Sequence, residues 1–142
     1  MNLAHDLNSI MILIHPPLSI LGYLITLIAL KSALQLTMGK GDDEKFEERR
    51  KDLRISLVAA WIFTFLGLIT GMIWAQLAWG RFWGWDPKET GTLFVFLTLS
   101  LALVMNLRRI DVRGQLAVLV LNVVLILYTL SITFFDWGLH SF

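Results

Sequence analysis

Trp79-Gly80-Arg81-Phe82-Trp83-Gly84-Trp85-Asp86-Pro87-Lys88-Glu89 lies between two apolar runs, Ile55 to Gly80 and Thr90 to Leu107. Its eleven residues hold three tryptophans, a phenylalanine, two cations and two carboxylates. A soluble loop rarely carries that much aromatic surface, and a helix inside hydrocarbon cannot carry that many charges. The segment belongs at a membrane–water boundary, where amphipathic rings collect.

Working outward, four stretches are almost free of charge: Pro16 to Leu30, Ile55 to Gly80, Thr90 to Leu107 and Gly114 to Phe135. Each approaches the ~20 residues a helix needs to cross roughly 30 Å of hydrocarbon. The chain has 142 residues, of which 56% are hydrophobic, so four crossings leave no room for a separate soluble domain. The runs lack the period-2 alternation of a membrane barrel. The predicted fold is an all-α integral membrane protein: one domain over 1–142, built as a four-transmembrane-helix bundle with spans at about 17–37, 54–77, 91–107 and 114–135. Leu3, Leu7, Ile10, Met11 and Ile14 share one helical face, which predicts a short amphipathic helix on the outer membrane surface. Pro16 and Pro17 then mark the start of the first span and leave His15 just outside it. Gly67 and Gly71 form a small-xxx-small pair in the second span, a pattern that permits close helix contact without naming the partner.

Net charge is +1, and its distribution matters more than its size. Lys40, Lys45, Arg49, Arg50, Lys51 and Arg54 lie between the first two spans, and Arg108, Arg109 and Arg113 between the last two. The opposite side has only Arg81 and Lys88. Positive-inside bias predicts both basic loops in the cytoplasm, with both termini and the Trp-rich loop outside. The first basic loop interleaves its cations with Asp42, Asp43, Glu44, Glu47, Glu48 and Asp52, so it reads as a solvated, partly helical connector and no nucleic-acid surface is expected. The N-terminus shows no cleavable signal pattern, and the first span is expected to act as the insertion signal. There is no cysteine, hence no disulfide and no thiolate.

The three histidines, His5, His15 and His140, all fall on the predicted outer side. His15 precedes the first span, His140 follows the last, and the Trp-rich loop joins the middle two. Topology therefore brings two imidazoles and the aromatic loop to one surface. Such a surface suits a flat, apolar, anionic ligand. Haem is the commonest, with imidazole as its iron ligand. Arg81 and Lys88 supply cations for haem propionates or, equally, for lipid phosphates. Trp79 and Trp83 share a face if that stretch is helical. Asp86 before Pro87 reads either as a helix N-cap or as a functional carboxylate, and Glu89 either caps the third span or orients a second group.

The pattern Trp79-Gly80-x-x-Trp83-x-Trp85-Asp86-Pro87-Lys88-Glu89 resembles the tryptophan-rich "WWD" signature of the haem-handling proteins of cytochrome c biogenesis, the CcmC/CcmF/CcsA family. Asp6-Leu7-Asn8 followed by Ile14-His15-Pro16-Pro17 and Gly22-Tyr23 is similar to the first histidine segment of the CcmF branch, and Gly138-Leu139-His140-Ser141 to the second histidine segment of the CcsA branch. The resemblance implies a non-covalently held haem b at the outer face. His15 and His140 would be axial ligands of the iron, and Trp79, Trp83, Trp85 and Asp86 would cradle the porphyrin. It implies delivery of haem to apocytochrome c, as a haem lyase subunit in the plasma or inner membrane, among other maturation subunits. Family members are usually longer, with further histidines inside the membrane. This chain has none in a predicted span, so it reads as a minimal core or one part of a split system. Two other classes fit the residues: a bis-histidine electron-transfer subunit of a respiratory complex, and a haem-free scaffold with an aromatic membrane anchor.

Overall fold

The computed structural model describes residues 3–39 and 43–139, with side chains over 9–39 and 44–135. Four helices follow one another: α1 (Leu3–Met38), α2 (Asp43–Trp79), α3 (Pro87–Leu107) and α4 (Val112–Leu139). All four are long and apolar enough to cross a membrane. They form a closed ring, with α1 packed on α2 and α4, and α3 on α2 and α4. The architecture is the expected four-span bundle.

The buried positions explain the ring. Gly22, Thr26, Ala29, Ala33 and Leu36 on α1 recur at alternating intervals of four and three residues, as do Gln115, Leu119, Asn122, Ile126 and Thr129 on α4. That is the repeat of antiparallel helices wound in a shallow left-handed supercoil. The outward faces carry large apolar side chains such as Leu24, Ile28, Phe94 and Leu127. Lipid tails are as apolar as leucine, so burying more leucine gives little drive for association. Small residues and interhelical hydrogen bonds supply it instead.

The α1–α2 seam is built from small residues. Gly22 lies against Thr64, where an added Cβ would come within 2.9 Å of the Thr64 backbone nitrogen. Gly67 lies against Ser19, with an added Cβ 3.2 Å from its Cα. The α3–α4 seam relies more on polar side chains. Asn122 Nδ2 donates to the Val95 carbonyl and to Thr98 Oγ1, both at 2.7 Å. Gln115 Nε2 donates to the Ala102 carbonyl at 2.8 Å. Trp61, near the middle of α2, joins it to α3 by donating to Ser100 Oγ at 2.8 Å, and its ring stacks on Phe65.

Three boundaries differ from the sequence reading. Residues 3–14 are helical but are not set off as a separate surface helix, because α1 runs through Pro16 and Pro17. His15 therefore lies inside α1 and not beyond its end. Proline removes one helical hydrogen bond, whereas stopping a helix in lipid would leave a whole turn of carbonyls unmet, so the helix continues. The basic connector is helical from Asp43 onward and extends α2, because Phe46 and Leu53 turn toward the core. The third helix starts at Pro87 rather than near residue 91, because Asp86 caps it: Glu89 N–H donates to Asp86 Oδ1 at 2.8 Å.

Gly22→Val is expected to destabilise the bundle by about 1–3 kcal/mol, the usual cost of overpacking a tight contact. Leu24→Val, on the lipid face, should change stability by less than about 1 kcal/mol. Thermal unfolding in detergent separates the two. Equal midpoints would show that the α1–α2 seam tolerates a wider separation.

Candidate functional site

The site forms where α1, the end of α2, the 80–86 loop and the start of α3 meet. His15 projects from α1 onto a face of α2 made by Gly67, Thr70, Gly71 and Trp74. Its Nδ1 lies 2.9 Å from the Gly67 carbonyl oxygen. A carbonyl only accepts, so Nδ1 carries the proton and Nε2 keeps its lone pair. The ring lies directly over Gly71, where an added Cβ would sit 2.8 Å from His15 Cε1. Trp74 lies nearly parallel to the imidazole, at 6.5 Å between centroids and 9° between planes. The second residue of the small-xxx-small pair thus makes room for an aromatic ring, while Gly67 accepts the ring's proton and packs against Ser19.

The loop is shaped by its turns and by one carboxylate. Gly80 has φ 73° and turns the chain off the end of α2. Trp85 has φ 58°, in the left-handed region that non-glycine residues seldom occupy. Bonds on both sides hold it there. Gly84 N–H donates to Glu89 Oε2 at 2.6 Å, and Asp86 Oδ1 accepts from Glu89 N–H. Glu89 therefore joins the α3 cap through its backbone N–H, with Asp86 as the capping residue, and its carboxylate clamps the loop. The stretch after Trp79 is not helical, so Trp79 and Trp83 do not share a helix face. Trp79 packs edge-on against Trp74 at 4.9 Å, and Trp83 edge-on against Trp85 at 5.6 Å.

These groups line a cleft that is partly open to the exterior. His15, Trp74, Trp79, Trp83, Asp86 and Lys88 all contribute to its lining. Trp85 packs on Trp83 and is largely exposed. The Arg81 guanidinium lies over Gly84, in the space a side chain there would need. His140 lies outside the described residues, as does the side chain of His5. Among the described residues, no three metal-ligating side chains come together.

Three buried polar atoms on cleft residues have no hydrogen-bond partner among the described residues: Trp74 Nε1, Trp83 Nε1 and Glu89 Oε1. Buried polar groups are rarely left so, and these three lie on residues that line one cleft. Trp74 is the residue that sequence reasoning missed. The signal was present, because Trp74 follows Gly67 by seven residues and Gly71 by three, on one helical face.

The chain matches the family described as cytochrome c assembly protein over residues 1–140. It is 41% identical over 91 residues to the cytochrome c biogenesis protein CcsA of Prochlorococcus marinus strain MIT 9515, covering 61% of this chain and 28% of that protein. The CcsA of Guillardia theta is 39% identical over 80 residues, covering 54% of this chain and 26% of that protein. The matched region thus spans little more than a quarter of these relatives' length. No solved structure matches the chain.

Glu89→Ala is expected to free Gly84 N–H and let the loop relax from its strained turn at Trp85. Tryptophan emission should shift to the red, and cleavage within 80–86 by added protease should speed up. Glu89→Gln keeps an acceptor oxygen and should fall between wild type and alanine. No change in either signal for Glu89→Ala would show that the turn holds without the clamp.

Proposed function

This chain belongs to the cytochrome c assembly protein family, and from that premise we propose that its cleft binds haem and presents it to apocytochrome c for covalent attachment. One observation carries the reading: His15 is held with its Nδ1 proton on the Gly67 carbonyl and its Nε2 free, inside an aromatic-walled cleft. A metal-binding histidine is typically fixed in this way, its second nitrogen engaged by a carbonyl or carboxylate so that the first is aimed and basic. His140 is the proposed second axial ligand.

The residues fit the group. Trp74, Trp79 and Trp83 supply aromatic wall for a porphyrin face, and Lys88 supplies a cation for a propionate. The unpartnered indole N–H groups of Trp74 and Trp83 are donors suited to carboxylate oxygens. Haem here is cargo, and its vinyl groups take up cysteine thiols with each S–H adding across a C=C bond. The chain has no cysteine, so both thiols come from the apocytochrome. Its own residues bind, orient and shield. Fixing the ring plane and iron position turns an encounter of two molecules into a reaction within one complex, a gain of up to several kcal/mol. The basic residues at the far end of the bundle support a cytoplasmic position for that end and an outer position for the cleft.

A pyridine haemochrome assay on purified protein tests the reading. His15→Ala is expected to lower haem content or shift the Soret band, with partial rescue by imidazole. Gly71→Ala should act in the same direction, because the added methyl meets the His15 ring. Trp83→Ala is expected to lower haem retention more than Trp61→Ala and to resist imidazole rescue, since imidazole replaces a nitrogen donor and not a wall. Unchanged haem content and spectrum in His15→Ala would remove this histidine as a ligand. Equal haem loss at Trp83 and Trp61, tracking stability, would reduce the Trp loop to a membrane anchor.

A further inference from the structure

The opposite end of the bundle has its own unmet polar groups. Arg50 of α2 is only 6% exposed, on the inward face between Phe46 and Leu53. Its Nε and Nη2 are both buried and have no hydrogen-bond partner among the described residues. These two nitrogens form one edge of the guanidinium, the edge that grips an oxyanion through two parallel N–H···O bonds. Asn106 Nδ2, wholly buried on α3, is also an unpartnered donor.

Three acceptors at this end are already engaged. Glu47 accepts from Arg109 through both carboxylate oxygens, at 3.0 and 3.2 Å. Asn106 Oδ1 accepts from Arg54 Nε at 3.1 Å. The Gln35 carbonyl accepts from Arg49 at 3.2 Å. Arg50 lies within electrostatic reach of Arg109, Arg54 and Glu47, three guanidiniums to one carboxylate. An unpaired buried charge is costly, and the unmatched nitrogens of Arg50 belong to a cation.

We propose that Arg50, with Arg54 and Asn106 beside it, forms a binding site for a phosphate-class oxyanion at the basic end of the bundle. The position at a membrane end favours the headgroup of an anionic lipid, for which basic pockets between spanning helices are suited. A free phosphate-bearing anion offers the same oxygens. The site is independent of the haem cleft and does not rest on that reading.

The test is a titration of purified protein in detergent, read by thermal unfolding and by native mass spectrometry. The probes are phosphatidylglycerol, phosphatidylcholine and inorganic phosphate. Phosphatidylglycerol is expected to raise the wild-type midpoint saturably and to stay bound, while phosphatidylcholine does neither. Arg50→Gln should need about tenfold more phosphatidylglycerol for the same shift. Lys51→Gln, which removes an exposed neighbouring charge, should titrate as wild type. Arg50→Lys keeps the charge and loses the two-pronged edge. It is expected to bind more weakly than wild type, and it serves as the test variant if Arg50→Gln does not fold. A shift produced by inorganic phosphate and lost in the Arg50 variant assigns the same site to a soluble anion. No response of wild type to either anionic probe, or an equal response in wild type and the Arg50 variant, would overturn the proposal.

Discussion

The close approach of α1 to α2 is the constraint on which the site depends. In lipid, apolar side chains gain little by meeting one another, so two helices stay together only where their surfaces interlock or hydrogen-bond. Gly22, Gly67 and Gly71 allow that contact along one continuous line. The same line brings His15 within hydrogen-bond distance of a helix carbonyl. A backbone carbonyl inside a helix is normally shielded by its own turn. It becomes an acceptor for an outside group when the neighbouring side chains are too small to intervene. The glycines thus decide both how closely the helices pack and which imidazole nitrogen is free.

Much of this was legible in the sequence, because lipid imposes strong rules. The four apolar runs, the charge-dense tryptophan segment and the basic clusters gave the four-span bundle. The helix ends were less legible. Pro16 and Pro17 look like a boundary in water, and Asp43 to Arg54 looks like a loop by its charge. A long hydrophobic environment on one side, and Phe46 and Leu53 turned inward on the other, overrode those local signals. In the site, the tryptophans and His15 were singled out by their composition and place in the chain. Trp74 was hidden inside an apolar run, where a tryptophan is ordinary. Its partnership with His15 depends on the register of α1 against α2, which no local pattern states.

The two ends of the bundle answer different demands. One end gathers aromatic rings around His15, and its unmet groups among the described residues include two indole N–H donors and a carboxylate oxygen. The other gathers guanidiniums, and its unmet groups among the described residues include Arg50 Nε and Nη2 and Asn106 Nδ2. Between them, Gln115 and Asn122 tie α3 to α4 by hydrogen bonds to backbone carbonyls, which fixes the sliding position of one helix on the other. That polar spine holds the ends at a set separation, so that a loop capped by Asp86 at one end and a turn braced by Glu47–Arg109 at the other belong to one rigid frame.

Pro16 and Pro17 have a further consequence, for depth. Neither has an amide proton, so the carbonyls of Ile12 and Leu13 lose the donors that a helix would bring them. In hydrocarbon each would cost several kcal/mol, whereas at the headgroup level water meets them at no such cost. A hydrated boundary is the depth at which this turn costs least. His15 lies two residues beyond Leu13 and just before Pro16, so it is carried at that same level. An imidazole at that level would sit where the dielectric changes most steeply, with a hydrated side and an apolar side.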